Sequence, residues 1–341
     1  MSAYMSTNSQ NRVAWISILQ AITMAAVLIG HIDLAGDLNP DYPIASWLDR
    51  LQAFQMPVFF FISGFLFVRS SLFHKSYSEI VKNKLHRLGI PFLFMSLFMW
   101  IVKLCLPQSM LEHPVSLSWN YLFNVFFVPW NGPIRHLWFL ETLFLFFLLM
   151  PLYKWTLKNK WTSALWIIFL IGLTYHPYRF LDIDINSDTA KILCLERDCT
   201  FWLFFYIGMV VYKFDLIKYL QNKWIFVVSC IIYYVLCFFP IGLRNSVGII
   251  GIVYITSLSY LLANKLPNLF SSYSKYTYQI YLLHMLPIMA VKFIYRCNLL
   301  TDDIWFPVCW IISLLSAIYI PTVAAKIAEK CPKNIRMLIG L

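Results

Sequence analysis

The stretch NRVAWISILQAITMAAVLIGHID, residues 11–33, decides the fold class of this chain. Residues 13–30 within it are uncharged and mostly apolar, and as a helix they rise about 27 Å. Because the hydrocarbon core of a bilayer is about 30 Å thick, the stretch is predicted to be a membrane-spanning helix. His31 and Asp33 stand where this helix leaves the hydrocarbon, and ionisable groups at such a depth are candidates for function. A histidine that simply ends the helix in water accounts for the position equally well.

The composition of the whole chain also indicates a membrane protein. Of its 341 residues, 60% are hydrophobic and 13% are charged, whereas soluble domains carry about 25% charged residues. The net charge of +11 is carried by short loops between apolar segments, which fits membrane orientation better than nucleic-acid binding. We therefore predict an all-α, multi-pass membrane protein that binds no nucleic acid. Met1 to Gln10 is predicted to be a short polar tail.

Ten apolar segments are candidates for membrane-spanning helices. They are residues 13–30, 51–68, 88–106, 136–153, 161–175, 200–212, 224–243, 245–262, 276–295 and 304–325. With ten spans, eighteen Lys and Arg residues fall on the side of the N-terminus and seven on the opposite side. By the positive-inside rule, both termini are predicted to be cytoplasmic, which places His31 near the outer face.

An eleventh uncharged segment, Pro114 to Ile134, lies between the third and fourth predicted spans. It contains three prolines, and counting it as a span would move Lys154, Lys158 and Lys160 to the outer side. The segment is therefore predicted to be an interfacial or re-entrant piece on the outer face.

Cysteine and histidine spacing gives no structural zinc pattern, so no metal site is predicted. Cys194 and Cys199 fall in one predicted outer loop and could pair if that compartment is oxidising.

Polar groups inside the apolar segments are the candidates for chemistry, because each costs free energy unless it is paired or lines a cavity. Arg135, His136 and Glu141 occupy the first two turns of the fourth span. A carboxylate there could orient an imidazole that acts as a general base or a transient acyl carrier. Glu141 could instead form a structural ion pair with Arg135 or a lysine. His284 lies deep in the ninth span, where a tertiary hydrogen bond explains it as well as catalysis does.

Several motifs together resemble acyltransferase family 3, the integral-membrane O-acyltransferases. They are Gly30-His31, QMPVFFFISGFL at 55–66, KLHRLGIP at 84–91, HLWFL at 136–140 and YQIYLLH at 278–284. The resemblance extends along residues 1–341 and implies a single transmembrane acyltransferase domain. It implies transfer of an acyl group, usually acetyl from cytoplasmic acetyl-CoA, to a sugar hydroxyl of a cell-surface polysaccharide or its lipid-linked precursor. Surface-polysaccharide acetylation of this kind implies the bacterial plasma (inner) membrane.

The resemblance assigns His31 to the essential histidine position of the family, and Glu141 and His136 are the further catalytic candidates. Donor binding is predicted at Lys82, Lys84 and Arg87, whose charges suit phosphate, and at Ser63, which either lines the thioester path or permits close helix packing. For the lysine cluster, membrane topology alone is the alternative explanation. Acceptor binding is predicted at the outer boundary, at Asp33, Arg135 and Trp138.

This sequence departs from the family pattern at three places. Gln20 stands where the family has arginine, Lys84 replaces the first arginine of R-x-x-R, and Glu141 follows Trp138 by three positions rather than five. The predicted partners are acyl-CoA, the glycan acceptor and membrane lipids, and self-association is left open. Two rival functions are a polysaccharide exporter or proton-coupled transporter, against which we count the lack of paired broken helices, and a catalytically retired family member.

Overall fold

A computed structural model of the chain describes residues 2–32, 53–108, 114–128, 135–176, 187, 190, 194–238, 244–295 and 305–341, with side chains from residue 14 onward. Every regular element in these ranges is helical. The chain divides into two compact units, one formed by residues 1–66 with 204–324 and the other by residues 67–203 with 325–341. Each unit is described by itself below. That the whole chain acts as one domain stays a prediction.

The α-helices are numbered here in chain order. They are α1 Ser2–His31, α2 Gln55–Arg69, α3 Tyr77–Lys84, α4 Ile90–Leu104, α5 Trp119–Phe127, α6 Trp138–Leu148, α7 Met150–Thr156, α8 Lys160–Tyr175, α9 Leu195–Lys213, α10 Lys223–Cys237, α11 Arg244–Lys265, α12 Ser271–Ser274, α13 Thr277–Leu283, α14 Met285–Ile294, α15 Trp305–Ala328 and α16 Lys333–Leu338. Short 3-10 turns cover Ser71–His74, Arg135–Leu137 and Leu216–Gln221, and a π-turn at Leu85–Gly89 joins α3 to α4. Helix α1 begins at Ser2, so the predicted polar tail is helical from that residue and continuous with the apolar part of α1.

All ten predicted segments are helical where the structure describes them, and the all-α class is confirmed. Within the part of the chain that the structure describes, four helices are long and apolar enough to cross a membrane, or up to six if each of two bent pairs is one span. They are Ala14–His31, Tyr77–Leu104, Asn245–Lys265 and Trp305–Ala328, with the pairs Arg135–Leu148 plus Met150–Thr156 and Thr277–Leu283 plus Met285–Ile294. The helices α2, α8 and α10 are apolar but shorter, so the count of ten spans and the orientation of the termini stay predictions.

Two segments predicted as single helices are broken. The fourth bends by 58° between α6 and α7, and the ninth bends by 41° between α13 and α14. A proline lies just after each break, Pro151 in the first turn of α7 and Pro287 in α14. Because proline has no N–H to donate to the preceding turn, the helix cannot continue straight there. The lack of paired broken helices was counted against a transporter, and the structure shows two such bent pairs.

In the first unit, two glycines allow the backbones of α2 and α9 to touch. A Cβ at Gly64 would collide with the carbonyl of Phe205, and a Cβ at Gly208 would collide with the carbonyl of Phe61. This reciprocal contact of small residues is a common way for membrane helices to pack closely. The contact explains why two small residues, Ser63 and Gly64, interrupt the otherwise bulky apolar motif of α2.

In the second unit, side chains tie the loop before α3 to the end of the α6–α7 pair. The Lys154 ammonium donates to the Lys75 carbonyl at 3.0 Å, and the Tyr77 hydroxyl donates to the Leu148 carbonyl at 3.1 Å. Lys75 and Lys154 are thus neighbours.

The segment predicted to be interfacial or re-entrant is described over residues 114–128; residues 129–134 lie outside the described ranges. Its helix α5, nine residues long, rises about 14 Å, less than half of a bilayer core. Trp119 on α5 is almost fully exposed, at 87%, as expected of an interfacial tryptophan. That the segment does not cross the membrane stays a prediction.

Candidate functional site

His31 lies at the C-terminal end of α1, in the first unit, and is partly exposed there. Its ring is 5.2 Å from the ring of His284, centroid to centroid, and the two planes are tilted by 44°. The two residues are far apart in sequence and belong to different segments of the family resemblance. The structure therefore brings together two imidazoles that sequence reasoning had treated separately.

His284 occupies the break between α13 and α14, and its side chain is completely buried. Its Nδ1 lies 2.7 Å from the carbonyl oxygen of Tyr281 and 3.1 Å from that of Ile280. A carbonyl oxygen only accepts, so Nδ1 must carry the hydrogen and donate it to the last turn of α13. In the neutral ring the lone pair then resides on Nε2. The helix break thus fixes the tautomer of the imidazole beside His31.

Two further polar residues affect the electrostatics around His31 or share its face of α1. Lys292 of α14 is half-exposed and interacts electrostatically with the His31 ring. Gln20, at the position of the family arginine, lies eleven residues before His31, which is about 16 Å along the helix and close to the same face. The substitution thus removes a positive charge from the His31 face of α1, three turns away from the imidazole.

Glu141 belongs to the second unit, in the first turn of α6. The Cys194 thiol donates to its Oε2 at 3.2 Å, so the observed partner is a thiol, whereas an imidazole or a basic residue was expected. Cys194 and Cys199 are both buried free thiols, so the considered pairing is not what the structure shows. Cys194 has a positive φ of 48°, a strained conformation for a residue with a Cβ. Burial and the Glu141 carboxylate raise the pKa of the Cys194 thiol, which favours its hydrogen-donating form.

Asp198 adds a second carboxyl group next to Glu141. It lies in the first turn of α9, before the apolar part of that helix at residues 200–212. Burial, together with the charge of Glu141, raises the pKa of Asp198 well above its usual range. A thiol and two carboxyl groups thus form an acidic centre at the ends of two helices. Sequence reasoning missed Asp198 and considered Cys194 only for a disulfide; an acid directly before an apolar segment was the available signal.

The three outer-boundary residues predicted to bind the acceptor have different outcomes. Trp138 is buried, and the Arg197 guanidinium lies 5.1 Å from its ring centroid, so one face of the indole is already occupied. Arg135 is exposed at the start of the 3-10 turn and interacts electrostatically with Tyr121 of α5. Asp33 lies outside the described residues.

His136, the remaining catalytic candidate, is buried in the 3-10 turn that precedes α6. Its predicted pairing with Glu141 stays a prediction, since Glu141 uses one oxygen for the Cys194 thiol.

The predicted donor-binding residues lie on α3 and the π-turn that follows it. The Lys84 ammonium sits 3.7 Å from the ring centroid of Phe147 and 4.9 Å from that of Phe67, a double cation–π contact. Lys82 and Arg87 are exposed, so their charges are accessible to a solute. The π-turn Leu85–Gly89, which contains Arg87, holds about one residue more per turn than an α-helix does. Such turns occur often at functional sites.

Ser63, the fourth predicted donor contact, donates its hydroxyl to the Phe59 carbonyl one turn earlier at 2.8 Å. The hydroxyl is satisfied within α2, beside the glycine that contacts Phe205. This arrangement fits the packing interpretation of the serine. Among the residues that the structure describes, no group of three or more His, Cys, Asp or Glu side chains is arranged to hold a metal ion.

Comparison with known families gives one match. The family model for the acyltransferase domain of acyltransferase family 3 matches residues 13–326, nearly the whole chain. No curated protein and no solved structure matches the chain significantly.

Proposed function

Because this chain belongs to acyltransferase family 3 and is a membrane acyltransferase, we propose that it moves an acetyl group from cytoplasmic acetyl-CoA to a sugar hydroxyl. The acceptor is a cell-surface polysaccharide or its lipid-linked precursor, and the location is a bacterial plasma (inner) membrane. The apolar helices and the family match support the membrane location and the reaction class. The acetyl group, the acceptor and the compartment are our proposal.

The observation that carries the proposal is the His31–His284 pair. The ring centroids are 5.2 Å apart and the planes are tilted by 44°, so a hydrogen bond from a ring nitrogen of His31 to Nε2 of His284 would require the two rings to turn toward each other. Because Nδ1 of His284 donates to backbone carbonyls, Nε2 is the nitrogen that can accept a hydrogen from His31. His31 would then present its other nitrogen, with its lone pair, to the reactants. The second imidazole thus orients the first, as a carboxylate does in other base-catalysed sites.

Two routes use this arrangement. In the first, His31 takes the proton of the sugar hydroxyl as the oxygen attacks the thioester carbonyl, and coenzyme A leaves by cleavage of the carbon–sulfur bond and receives the proton. In the second, the His31 nitrogen attacks the thioester carbon, the carbon–sulfur bond breaks, and coenzyme A leaves as the thiol with the proton that the imidazole loses. The sugar oxygen then takes the acetyl group from His31, and the hydroxyl proton returns to the imidazole. Both routes require a neutral His31, which a hydrogen bond to a neutral partner allows.

The donor would bind through its phosphates to Arg87 and Lys82, with Lys84 as a neighbouring charge held against two aromatic rings. The exposure of Arg87 and Lys82 supports this assignment, since a solute can reach them. Arginine in particular pairs with phosphate through two parallel hydrogen bonds. The aromatic contacts of Lys84 support a positioning role for that residue more than a direct one.

Glu141 and His136 complete the proposed set of reactive side chains. The thiol contact and the neighbouring Asp198 favour a Glu141 that binds hydroxyl groups of the acceptor, because carboxyl oxygens are good acceptors for sugar hydroxyls. Arg135, exposed in the 3-10 turn before α6, and Asp33 are the further residues proposed to bind the acceptor.

The test is acetyl transfer by the purified full chain in liposomes, measured with radiolabelled acetyl-CoA and a polysaccharide extract as acceptor. His31→Ala should lose transfer while the protein inserts and folds normally, because the helix keeps its apolar residues. General-base catalysis contributes about 10²- to 10⁴-fold, so a residual rate in that range indicates the first route, and almost no residual rate indicates the second.

The control for this test is Gln20→Ala, on the same face of α1 three turns away, which should keep a measurable rate and the same thermal stability. Transfer by His31→Ala at close to the wild-type rate would show that the proposed function of His31 is wrong. If Gln20→Arg transfers acetyl groups faster than the wild type, the absence of the family arginine at position 20 limits the transfer rate of this protein.

One observation favours a second function, transport. Helices broken near a proline, such as α6–α7 and α13–α14, are the elements that bind substrate in many secondary transporters. The two functions are separated in the same liposomes by two measurements. Uptake or release of labelled polysaccharide without acetyl-CoA that His31→Ala abolishes, together with no acetyl transfer by the wild type when acetyl-CoA is supplied, would establish transport instead.

A further inference from the structure

An apolar groove runs between α10 and α11 in the first unit. Its volume is about 330 Å³, at the lower end of the range for ligand clefts, roughly 300–1,000 Å³. Trp224, Val228 and Ile232 of α10 form one wall, and Ile250 and Val253 of α11 form the other. The one polar residue in the lining is Ser229. Its hydroxyl donates to the carbonyls of Ile225 and Phe226 within α10, so the groove offers an apolar surface to an occupant.

The groove begins at a basic end of the unit. Lys223, the first residue of α10, has its ammonium 5.4 Å from the ring centroid of Trp224, which lines the groove. The 3-10 turn Leu216–Gln221 packs against both α10 and α11 and carries Lys218, 5.3 Å from the ring of Tyr219. Asp215, directly before this turn, is the acidic residue nearest to them in the chain. The end of the groove is therefore positively charged.

The aromatic residues at this end fix the depth of the groove. Trp224 and Tyr219 are 64% and 59% exposed, and each lies beside a lysine. Exposed Trp and Tyr next to lysine are typical of the level of lipid headgroups. From Ile225 to Ile232 the groove follows eight residues of α10, a rise of about 10 Å along the helix, away from that level. It thus extends from the headgroup region into the hydrocarbon.

We propose that this groove is a binding site for an anionic phospholipid. One acyl chain lies in the groove between α10 and α11, and the phosphate lies between Lys218 and Lys223. The uncharged lining fits an acyl chain, and the two lysines select an anionic headgroup over a zwitterionic one. A free phosphate would bind the two lysines and leave the apolar groove empty. A phospholipid occupies both the groove and the basic end, so it is the occupant that the site favours.

Native mass spectrometry of the purified full chain tests the site with two lipids that share the same oleoyl chains, phosphatidylglycerol and phosphatidylcholine. Phosphatidylglycerol should bind more tightly. Lys218→Gln with Lys223→Gln should weaken it about 25-fold, since one lysine near an anionic surface is worth about fivefold. Phosphatidylcholine binding should not change. The control is Lys330→Gln with Lys333→Gln, two exposed lysines near the C-terminus, which should leave both lipids unaffected.

A second pair of variants tests the groove separately from the charge. Val228→Trp fills the groove and should abolish selective binding, whereas Ile231→Trp, equally exposed on α10 but outside the lining, should not. Equal binding of the two lipids, or equal effects of the two tryptophans, would overturn the proposal. Displacement of phosphatidylglycerol by glycerol phosphate at similar concentration would identify a free-phosphate site instead. Loss of a dimer on Val228→Trp, seen by light scattering, would identify a second copy as the occupant.

Discussion

The substitution His284→Asn separates the two roles that the structure gives to one imidazole. An asparagine amide nitrogen stands where Nδ1 stands in histidine, so it can still donate to the carbonyls of Tyr281 and Ile280. The variant has nothing at the position of Nε2, so it cannot accept a hydrogen from His31. His284→Gln places its amide near Nε2 and loses the backbone contacts instead. The two variants remove opposite halves of the ring.

The magnitudes follow from the hydrogen bonds involved. A bond to a group that becomes charged during reaction contributes about 1.5–3 kcal/mol, so His284→Asn should lower kcat/KM about 10- to 150-fold. The two hydrogen bonds to carbonyls at the helix break are neutral, and each contributes about 0.5–1.5 kcal/mol to stability. Because His284→Asn keeps both of them, its stability should stay close to that of the wild type. His284→Ala should lose both activity and stability, because it removes the whole buried ring and leaves a cavity.

The assay is acetyl transfer in liposomes at several donor concentrations. Thermal unfolding of the same preparations is followed by the change in fluorescence as buried tryptophans become exposed. The expected outcome is a low kcat for His284→Asn with a wild-type melting temperature. If His284→Asn is fully active and only His284→Ala is impaired, the imidazole merely supports the bend between α13 and α14, and the proposed orientation of His31 is refuted. His284→Gln supplies the matching control, since it should be less stable than His284→Asn.

Three further predictions concern other parts of the chain. For the donor, Arg87→Ala with Lys82→Ala should raise the KM for acetyl-CoA roughly tenfold or more with little change in kcat, because the side chains would bind phosphate and take no part in the chemical step. If the KM for acetyl-CoA does not change, the two charges serve only to orient the protein in the membrane. For pH, the raised pKa of Asp198 means that the folded protein holds a proton that the unfolded chain releases, so stability falls as the pH rises above the ordinary aspartate pKa of about 3.9. Asp198→Asn should therefore melt at a higher temperature than the wild type at pH 8, with a difference that shrinks toward pH 4; a difference independent of pH would contradict this. For topology, a reporter fused after Lys160 should report the cytoplasm, since Lys154 contacts the Lys75 carbonyl and both are predicted to lie inside; an external signal would defeat the ten-span arrangement.

The sequence alone determined the class of the protein and the family. Apolar segments of spanning length become helices whatever their neighbours, because in hydrocarbon every backbone N–H and C=O must be paired within the segment. The motif residues at 30–31, 55–66, 84–91, 136–140 and 278–284 were sufficient to indicate acyltransferase family 3, which the family match confirms. Close packing at Ser63 was one of the two alternatives considered, because a small residue in an apolar helix usually marks a close approach of two backbones.

Only the tertiary structure decided which of these residues meet. Hydrophobic periodicity shows that a residue lies on a helix, but not which helix its face contacts, so neither the His31–His284 pair nor the Cys194 partner of Glu141 could be derived. The same holds for Lys84, whose position three residues before Arg87 suggested phosphate, whereas the fold places Phe67 and Phe147 around its ammonium. The angle at a proline is likewise set by what packs around it. The sequence pattern places Pro287 inside a single span, and the tautomer of His284 follows only from the carbonyls that the 41° bend leaves within its reach.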